Sequence, residues 1–99
     1  MSQFNMTEDG NTLTLAPVGK IDAYNAPLFQ NEVNEGLPGK TCVVFDFADL
    51  EYISSAGLRV IVATKKELSS HGEVYVRNAS ETIKEILAVT RLTQLVVVE

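Results

Sequence analysis

The chain has 99 residues, 45% apolar and 21% charged, an ordinary balance for one folded domain (residues 1–99) with a single core. Its 13 acidic and 8 basic residues give a net charge of −5, which argues against nucleic acid or an anionic membrane as the main partner. No apolar run approaches the ~18 residues that a membrane span needs. The N-terminus is too polar for a signal peptide, and the single cysteine, Cys42, excludes an internal disulfide, so we expect a cytoplasmic protein.

Five stretches of the chain have the composition of strands. They are residues 3–8, 12–18, 41–47, 73–76 and 94–98. Asp-Gly between the first two is a strong hairpin signal. The third is almost continuously apolar, which is typical of a strand covered on both faces.

Three further stretches place apolar side chains at helical spacing. They are about residues 25–36, about residues 55–70, and a third stretch around Ile83, Ile86 and Leu87. We expect Asn25 or Asp22 to cap the first helix, and the segment 78–81 has the spacing of a capping box before the third. The order β-β-α-β-α-β-α-β predicts an α/β domain with an N-terminal hairpin and a mostly parallel, mixed sheet.

Two serines, Ser54 and Ser55, lie at the junction between the segment that follows the third predicted strand and the second predicted helix. A serine nucleophile would need an adjacent base, and the sole histidine is His71. At 1.5 Å per residue, His71 would lie roughly 24 Å from Ser55 at the far end of the same helix. A serine hydrolase is therefore not predicted.

Acidic side chains offer a second enzymatic interpretation. Asp22, Asp46 and Asp49 could meet at one edge of the sheet and bind Mg²⁺, with Lys20 available for phosphoryl transfer. The simpler interpretation is that these acids cap a helix and end a strand, and we favour it. We predict no metal site and no cofactor, and we expect a protein that is not an enzyme.

The serine segment resembles the STAS domain of bacterial anti-sigma-factor antagonists. In that family an apolar strand is followed by D-L-x-[YF]-[IM], then [DS]-S-x-G-L, then an apolar helix. Here the same order runs through 43–47, 49–53 and 54–58 and continues into Val60-Ile61-Val62. Gly19-Lys20-Ile21-Asp22 also resembles the family's G-x-[LI]-D, and the resemblance extends over nearly the whole chain.

The resemblance implies a phosphorylation switch. The serine matching Ser55 is phosphorylated by a partner that is both a serine kinase and an anti-sigma factor. In that family the unmodified antagonist binds the kinase, and a sigma factor is released. The phosphorylated antagonist dissociates from the kinase. A PPM-type serine phosphatase then removes the phosphate from the antagonist. The alternatives are a STAS domain acting as a scaffold or a transporter-associated subunit, and the small Mg²⁺-dependent phosphoryl-transfer enzyme described above.

Seven residues are assigned to the partner-binding site on this basis. They are Asp22, Tyr52, Ser54, Ser55, Ala56, Gly57 and Arg59. Position 54, often Asp in the family, is Ser here, so the choice of Ser55 over Ser54 as acceptor depends on the resemblance. Each residue also has a plainer role: Ser55 as an N-cap, Gly57 as relief of crowding, and Tyr52 and Arg59 as solvated side chains. Many family members continue into a C-terminal helix, whereas this chain stops at Glu99.

Overall fold

The computed structural model describes residues 3–69 and 71–99. Its helices are α1 (Ala26–Gly36), α2 (Ser55–Leu68) and α3 (Glu81–Val89), followed by a short 3-10 helix (Leu92–Gln94). Its strands are β1 (Thr7–Asp9), β2 (Thr12–Leu15), β3 (Gly19–Ile21), β4 (Cys42–Asp46), β5 (Leu50–Ile53), β6 (Glu73–Arg77) and β7 (Val97–Val98). This part of the chain contains no helix long and apolar enough to cross a membrane.

Five strands form the main sheet, in the order β1-β2-β4-β6-β7. β1 and β2 are antiparallel, and every other neighbouring pair is parallel. β4 lies at the centre, where Val43, Val44 and Phe45 are all buried, so both faces of this strand are covered. The predicted α/β fold, with a hairpin leading into a mostly parallel sheet, is confirmed.

The N-terminal hairpin is shorter than predicted. β1 and β2 cover only the turn-proximal parts of 3–8 and 12–18. The outer parts still pair, since the amides of Ala16 and Val18 donate to the carbonyls of Phe4 and Gln3 at 2.8 and 3.0 Å. Asn5 has φ +45°, a left-handed conformation that separates these outer residues, Gln3 and Phe4, from β1.

A second, two-stranded parallel sheet of β3 and β5 was not predicted. Gly19 has φ +82°, a left-handed conformation that glycine adopts without strain. The chain then resumes an extended conformation and pairs with residues far along the sequence, Lys20 opposite Tyr52 and Ile21 opposite Ile53. This small sheet positions the serine segment.

Three boundaries at the other end of the chain also differ. α2 ends at Leu68, and the predicted extension to Ser70 lies outside the described residues. Ser80 caps α3, accepting from the amide of Ile83 at 3.2 Å, so the capping box predicted over 78–81 is wrong. The last strand is confined to Val97–Val98 because residues 92–94 turn into the 3-10 helix.

Four phenylalanines run through the core. Phe29 on α1 lies between Phe4 and Phe45, with ring centroids 5.0 and 5.7 Å away, and Phe47 continues the row 6.1 Å beyond Phe45. Val33, one turn after Phe29, is also fully buried, which confirms the apolar stripe predicted for the first helix. α1 and α2 contact each other, and α2 also contacts β6.

Candidate interaction and modification site

The site is built where the two strands of the small sheet end side by side. β3 and β5 are parallel, and Ile21 lies opposite Ile53 at their carboxyl ends. The amide of Ser54 donates to the carbonyl of Ile21 at 2.8 Å, which continues the pairing by one residue. The residues that follow the two strands, Asp22 after β3 and Ser54 and Ser55 after β5, are therefore brought to one corner of the molecule.

The two serines at this corner have different surroundings. Ser54 is the N-cap of α2, with extended backbone (φ −88°, ψ 174°), and its hydroxyl accepts from the amide of Gly57 at 3.4 Å. Ser55 is the first residue of the helix and is exposed, and its side chain makes no hydrogen bond to residues 3–69 or 71–99. The interpretation of Ser55 as the N-cap is wrong, because Ser54 takes that position.

Gly57 brings the first turn of α2 close to the small sheet. A Cβ at this position would lie 2.6 Å from Cγ1 of Ile53 and 2.7 Å from Cγ2 of Ile21. Both isoleucines are buried, so neither side chain can swing into solvent to make room. Gly57 itself is buried. Because it has no side chain, the start of α2 can pack directly against β3 and β5.

Asp22 forms a tight turn before α1. Its Oδ1 accepts from the amides of Tyr24 and Asn25 at 3.0 and 3.2 Å. In return, Oδ1 of Asn25 accepts from the amide of Asp22 at 2.8 Å. Asn25 holds the N-cap position of α1, yet its side chain bonds to this turn and makes no cap bond to the helix.

Gln3 holds the same turn from the N-terminal segment. Nδ2 of Asn25 donates to the carbonyl of Lys20 at 2.8 Å and to Oε1 of Gln3 at 3.2 Å. Nε2 of Gln3 donates to the carbonyls of Val18 and Lys20 at 2.8 and 3.0 Å. This amide pair was missed from the sequence, because no local spacing connects two polar residues so far apart.

Replacing Asn25 with alanine is expected to lower the free energy of unfolding by about 1–2 kcal/mol, because the amide of Asp22 and the carbonyl of Lys20 both lose a partner. Asn34→Ala on the same helix is the matched control. The only hydrogen bond of its side chain in the described structure is with Gln30 one turn away, at 3.0 Å, so a loss of about 0.5 kcal/mol or less is expected. Urea unfolding of both variants measures the difference, and equal losses would contradict a structural role for the amide pair.

Three large side chains with apolar surface are exposed on β5, in the turn before α1 and on α1. Tyr52 on β5 is 47% exposed and Tyr24 is 90% exposed, while Leu28 faces solvent from α1. A shallow groove of about 240 Å³ lies between the starts of α1 and α2, lined by Ala23, Ala26, Pro27, Gln30, Ala56, Arg59 and Val60. Tyr24 and Leu28 were missed from the sequence, although Leu28 lies off the buried stripe of α1 and could have been identified as an exposed apolar side chain.

The structure separates the residues of the two enzymatic alternatives. His71 is exposed and follows the end of α2, whereas Ser55 begins that helix. Asp46 ends β4 and accepts from the amide of Ala48 and from Nδ2 of Asn78 at 3.1 and 3.0 Å. Among the residues described, no three His, Cys, Asp or Glu side chains are grouped so that they could hold a metal ion.

Solved structures with a similar fold include two bacterial anti-sigma factor antagonists. One, from Mycobacterium paratuberculosis, has a TM-score of 0.84 and 18% identity over 94% of this chain and 80% of that chain. The other is the Bacillus cell fate determinant SpoIIAA in its phosphorylated form, with a TM-score of 0.77 and 16% identity over 97% of this chain and 90% of that chain. At these identities the likeness is one of fold.

The protein TM1081 from Thermotoga maritima is more similar in sequence. Its crystal structure has a TM-score of 0.82 and 28% identity, over 96% of this chain and 84% of that chain. The STAS domain family matches residues 3–99, which include both sheets, all three helices and the serine corner. The chain therefore belongs to the STAS domain family.

Proposed function

We propose that this protein is an anti-sigma-factor antagonist controlled by phosphorylation of Ser55. The proposal depends mainly on the different positions of the two serines. Ser54 caps α2, and Ser55 is exposed at the first helical position. SpoIIAA, which shares the fold, is an anti-sigma factor antagonist with solved structures in unphosphorylated and phosphorylated forms. In this proposal the protein is cytoplasmic and acts by binding another protein, and it uses no metal or cofactor.

The modification needs no base in this chain. A partner serine kinase would transfer the γ-phosphoryl group of ATP to Oγ of Ser55, with ADP leaving and the hydroxyl proton passing to a base of the kinase. A PPM-type serine phosphatase would hydrolyse the phosphoester and restore the hydroxyl. Ser55 supplies only an accessible oxygen, and its exposed side chain at the start of α2 offers one.

The fold can carry the phosphate at this position. A phosphoserine adds about −1.5 to −2 charges, and the first turn of a helix presents free amides and the positive end of its dipole. The first turn of α2 has no acidic side chain to oppose the new charge. Phosphorylation at Ser55 would therefore alter the surface while leaving the core intact.

The surface around Ser55 supports a protein partner. Tyr52 on β5 and Tyr24 in the turn before α1 expose apolar area, and Arg59 lines the α1–α2 groove. Aromatic and arginine side chains are the residue types that contribute most to protein interfaces. In the unmodified state the anti-sigma kinase would cover this area and release its sigma factor.

Phosphate mapping tests the choice of acceptor. The purified chain, its Ser55→Ala variant and its Ser54→Ala variant are incubated with ATP and lysate of the source organism, and phosphate is located by mass spectrometry. We expect uptake approaching one phosphate per chain in the wild type and in Ser54→Ala, and none in Ser55→Ala. Ser54→Ala loses only the cap, about 1 kcal/mol, so its fold should persist.

Two results would overturn the proposal. Phosphate found on Ser54 in the wild type would move the acceptor, and absence of uptake by any variant would remove the switch. Release of inorganic phosphate from a generic phosphoester with Mg²⁺, abolished by Asp46→Ala, would favour the phosphoryl-transfer enzyme instead. Circular dichroism of each variant shows that the fold is retained.

A further inference from the structure

We propose that Arg59 is the intramolecular partner of a phosphate on Ser55. Phosphorylation would then do two things at once: it would add negative charge, and it would withdraw a free guanidinium from the partner-binding surface. This inference rests on the proposed function for the identity of Ser55 as acceptor, and it concerns what the phosphate does once it is there.

Ser55 and Arg59 are four residues apart on α2 and therefore lie on the same face of the helix. Their Cβ atoms are expected to be about 5–6 Å apart at this spacing. Helical side chains lean toward the N-terminus, so a long residue covers the surface over the turn before its own. At this spacing the guanidinium of Arg59 is within reach of a phosphate in the turn that Ser55 begins.

Arg59 is free to make this contact. It is exposed, and it forms no hydrogen bond or ion pair within residues 3–69 and 71–99. The first turns of α1 and α2 contain no acidic side chain that could bind the guanidinium first. Arg59 also lines the α1–α2 groove together with residues of both helices.

The other charged and titratable groups near the corner are engaged or belong to other elements. Oδ1 of Asp22 accepts from two backbone amides. Glu51, Tyr52 and Lys20 are exposed on β5 and β3. Lys65, at the far end of α2, donates to the carbonyl of Gly72 at 3.2 Å. Arg59 is the cation on the same helix face as Ser55, one turn away.

Arginine suits this role better than lysine would. Its planar guanidinium can donate two parallel hydrogen bonds to phosphate oxygens, whereas an ammonium acts as a point charge. In the unmodified chain the same group remains available to a carboxylate or carbonyl of the partner. A partner that uses Arg59 would lose that contact when Ser55 is phosphorylated, in addition to meeting the phosphate.

The experiment places phosphoserine at position 55 of the full chain by genetic encoding, so that no cellular kinase is needed. Phosphorylated and unmodified chains are compared in the wild type, Arg59→Gln and Arg59→Lys. Lys20→Gln, which removes an exposed cation on β3 instead of α2, is the control. Urea unfolding gives the effect of phosphate in each background, and the phosphorus NMR signal gives the ionisation of the phosphate. Glutamine keeps much of the stem while removing the charge.

In each background the folding equilibrium constant of the phosphorylated chain is divided by that of the unmodified chain. We expect this ratio to be roughly two- to fivefold smaller in Arg59→Gln than in the wild type. The second ionisation of the phosphate should occur at higher pH in Arg59→Gln, with Arg59→Lys intermediate and Lys20→Gln like the wild type. Equal unfolding and equal phosphorus signals in all four backgrounds would overturn the role of Arg59. Equal changes in Arg59→Gln and Lys20→Gln would also overturn it, because they would indicate a diffuse charge effect.

These outcomes are independent of phosphate mapping in lysate. If the lysate modifies another residue, the acceptor is wrong, yet coupling between Arg59 and an installed phosphate is still measured. If Ser55 is the acceptor and the coupling is absent, the switch stands and Arg59 has no part in holding the phosphate.

Discussion

Replacing Phe29 with alanine is expected to lower the free energy of unfolding by about 3–5 kcal/mol, because a fully buried aromatic ring is removed. Phe29 has no exposed surface, and its ring packs between those of Phe4 and Phe45. The truncation would leave a cavity joining α1 to the centre of the sheet, where β4 cannot collapse to fill it. Since a small domain has about 5–15 kcal/mol in total, a large share of the stability would be lost.

Leu28→Ala is the matched control for this prediction. Leu28 is the preceding residue on α1 and is 57% exposed, so its truncation should cost less than about 1 kcal/mol. Phe29→Leu should fall between the two, because leucine keeps part of the buried volume. Urea or thermal unfolding of the three variants measures the order, and a loss for Phe29→Ala no larger than that for Leu28→Ala would contradict the described core.

The main sheet and helices were predictable because their signals are local. β4 is a run of consecutive apolar residues, and α1 repeats its apolar residues at the spacing of a helix turn. Each pattern can be recognised within one element without knowing its neighbours. The order of elements then limits the topology, since parallel strands need crossover helices between them.

The small sheet could not be predicted in the same way. β3 has three residues and β5 has four, too few to show a period. The two strands hold each other, with Lys20 opposite Tyr52, and Gln3 and Asn25 both donate to the carbonyl of Lys20 in β3. Such pairing becomes visible only when the rest of the fold brings distant segments together.

The roles of the two serines depend on where α2 begins. Ser is a favourable N-cap in either position, and if the helix began one residue later Ser55 would be the cap and Ala56 the first helical residue. The pairing of Ser54 with Ile21 keeps Ser54 extended, so the helix starts at Ser55. A contact between two strands thus decides which hydroxyl is exposed.

Ser55→Asp is expected to weaken binding of the anti-sigma kinase partner by more than about a hundredfold, which corresponds to a loss of ~3 kcal/mol at the interface. A carboxylate at this exposed position adds charge and bulk where the partner meets a small neutral hydroxyl. An acid in the first turn of α2 is compatible with the helix dipole, so the fold should be as stable as that of the wild type. Capture from lysate of the source organism identifies the partner through Ser55→Ala, and titration of the purified partner then gives the affinities.

Ser54→Asp is the control that separates position from charge. Aspartate is as good an N-cap as serine, so it can still accept from the amide of Gly57 while placing the same charge one residue earlier. We expect Ser54→Asp to retain binding within about tenfold of the wild type, since the capping side chain is turned toward the helix backbone. Equal weakening by both aspartates would point to a general acidic field at the corner, and undiminished binding by Ser55→Asp would exclude Ser55 as the residue whose charge controls the partner.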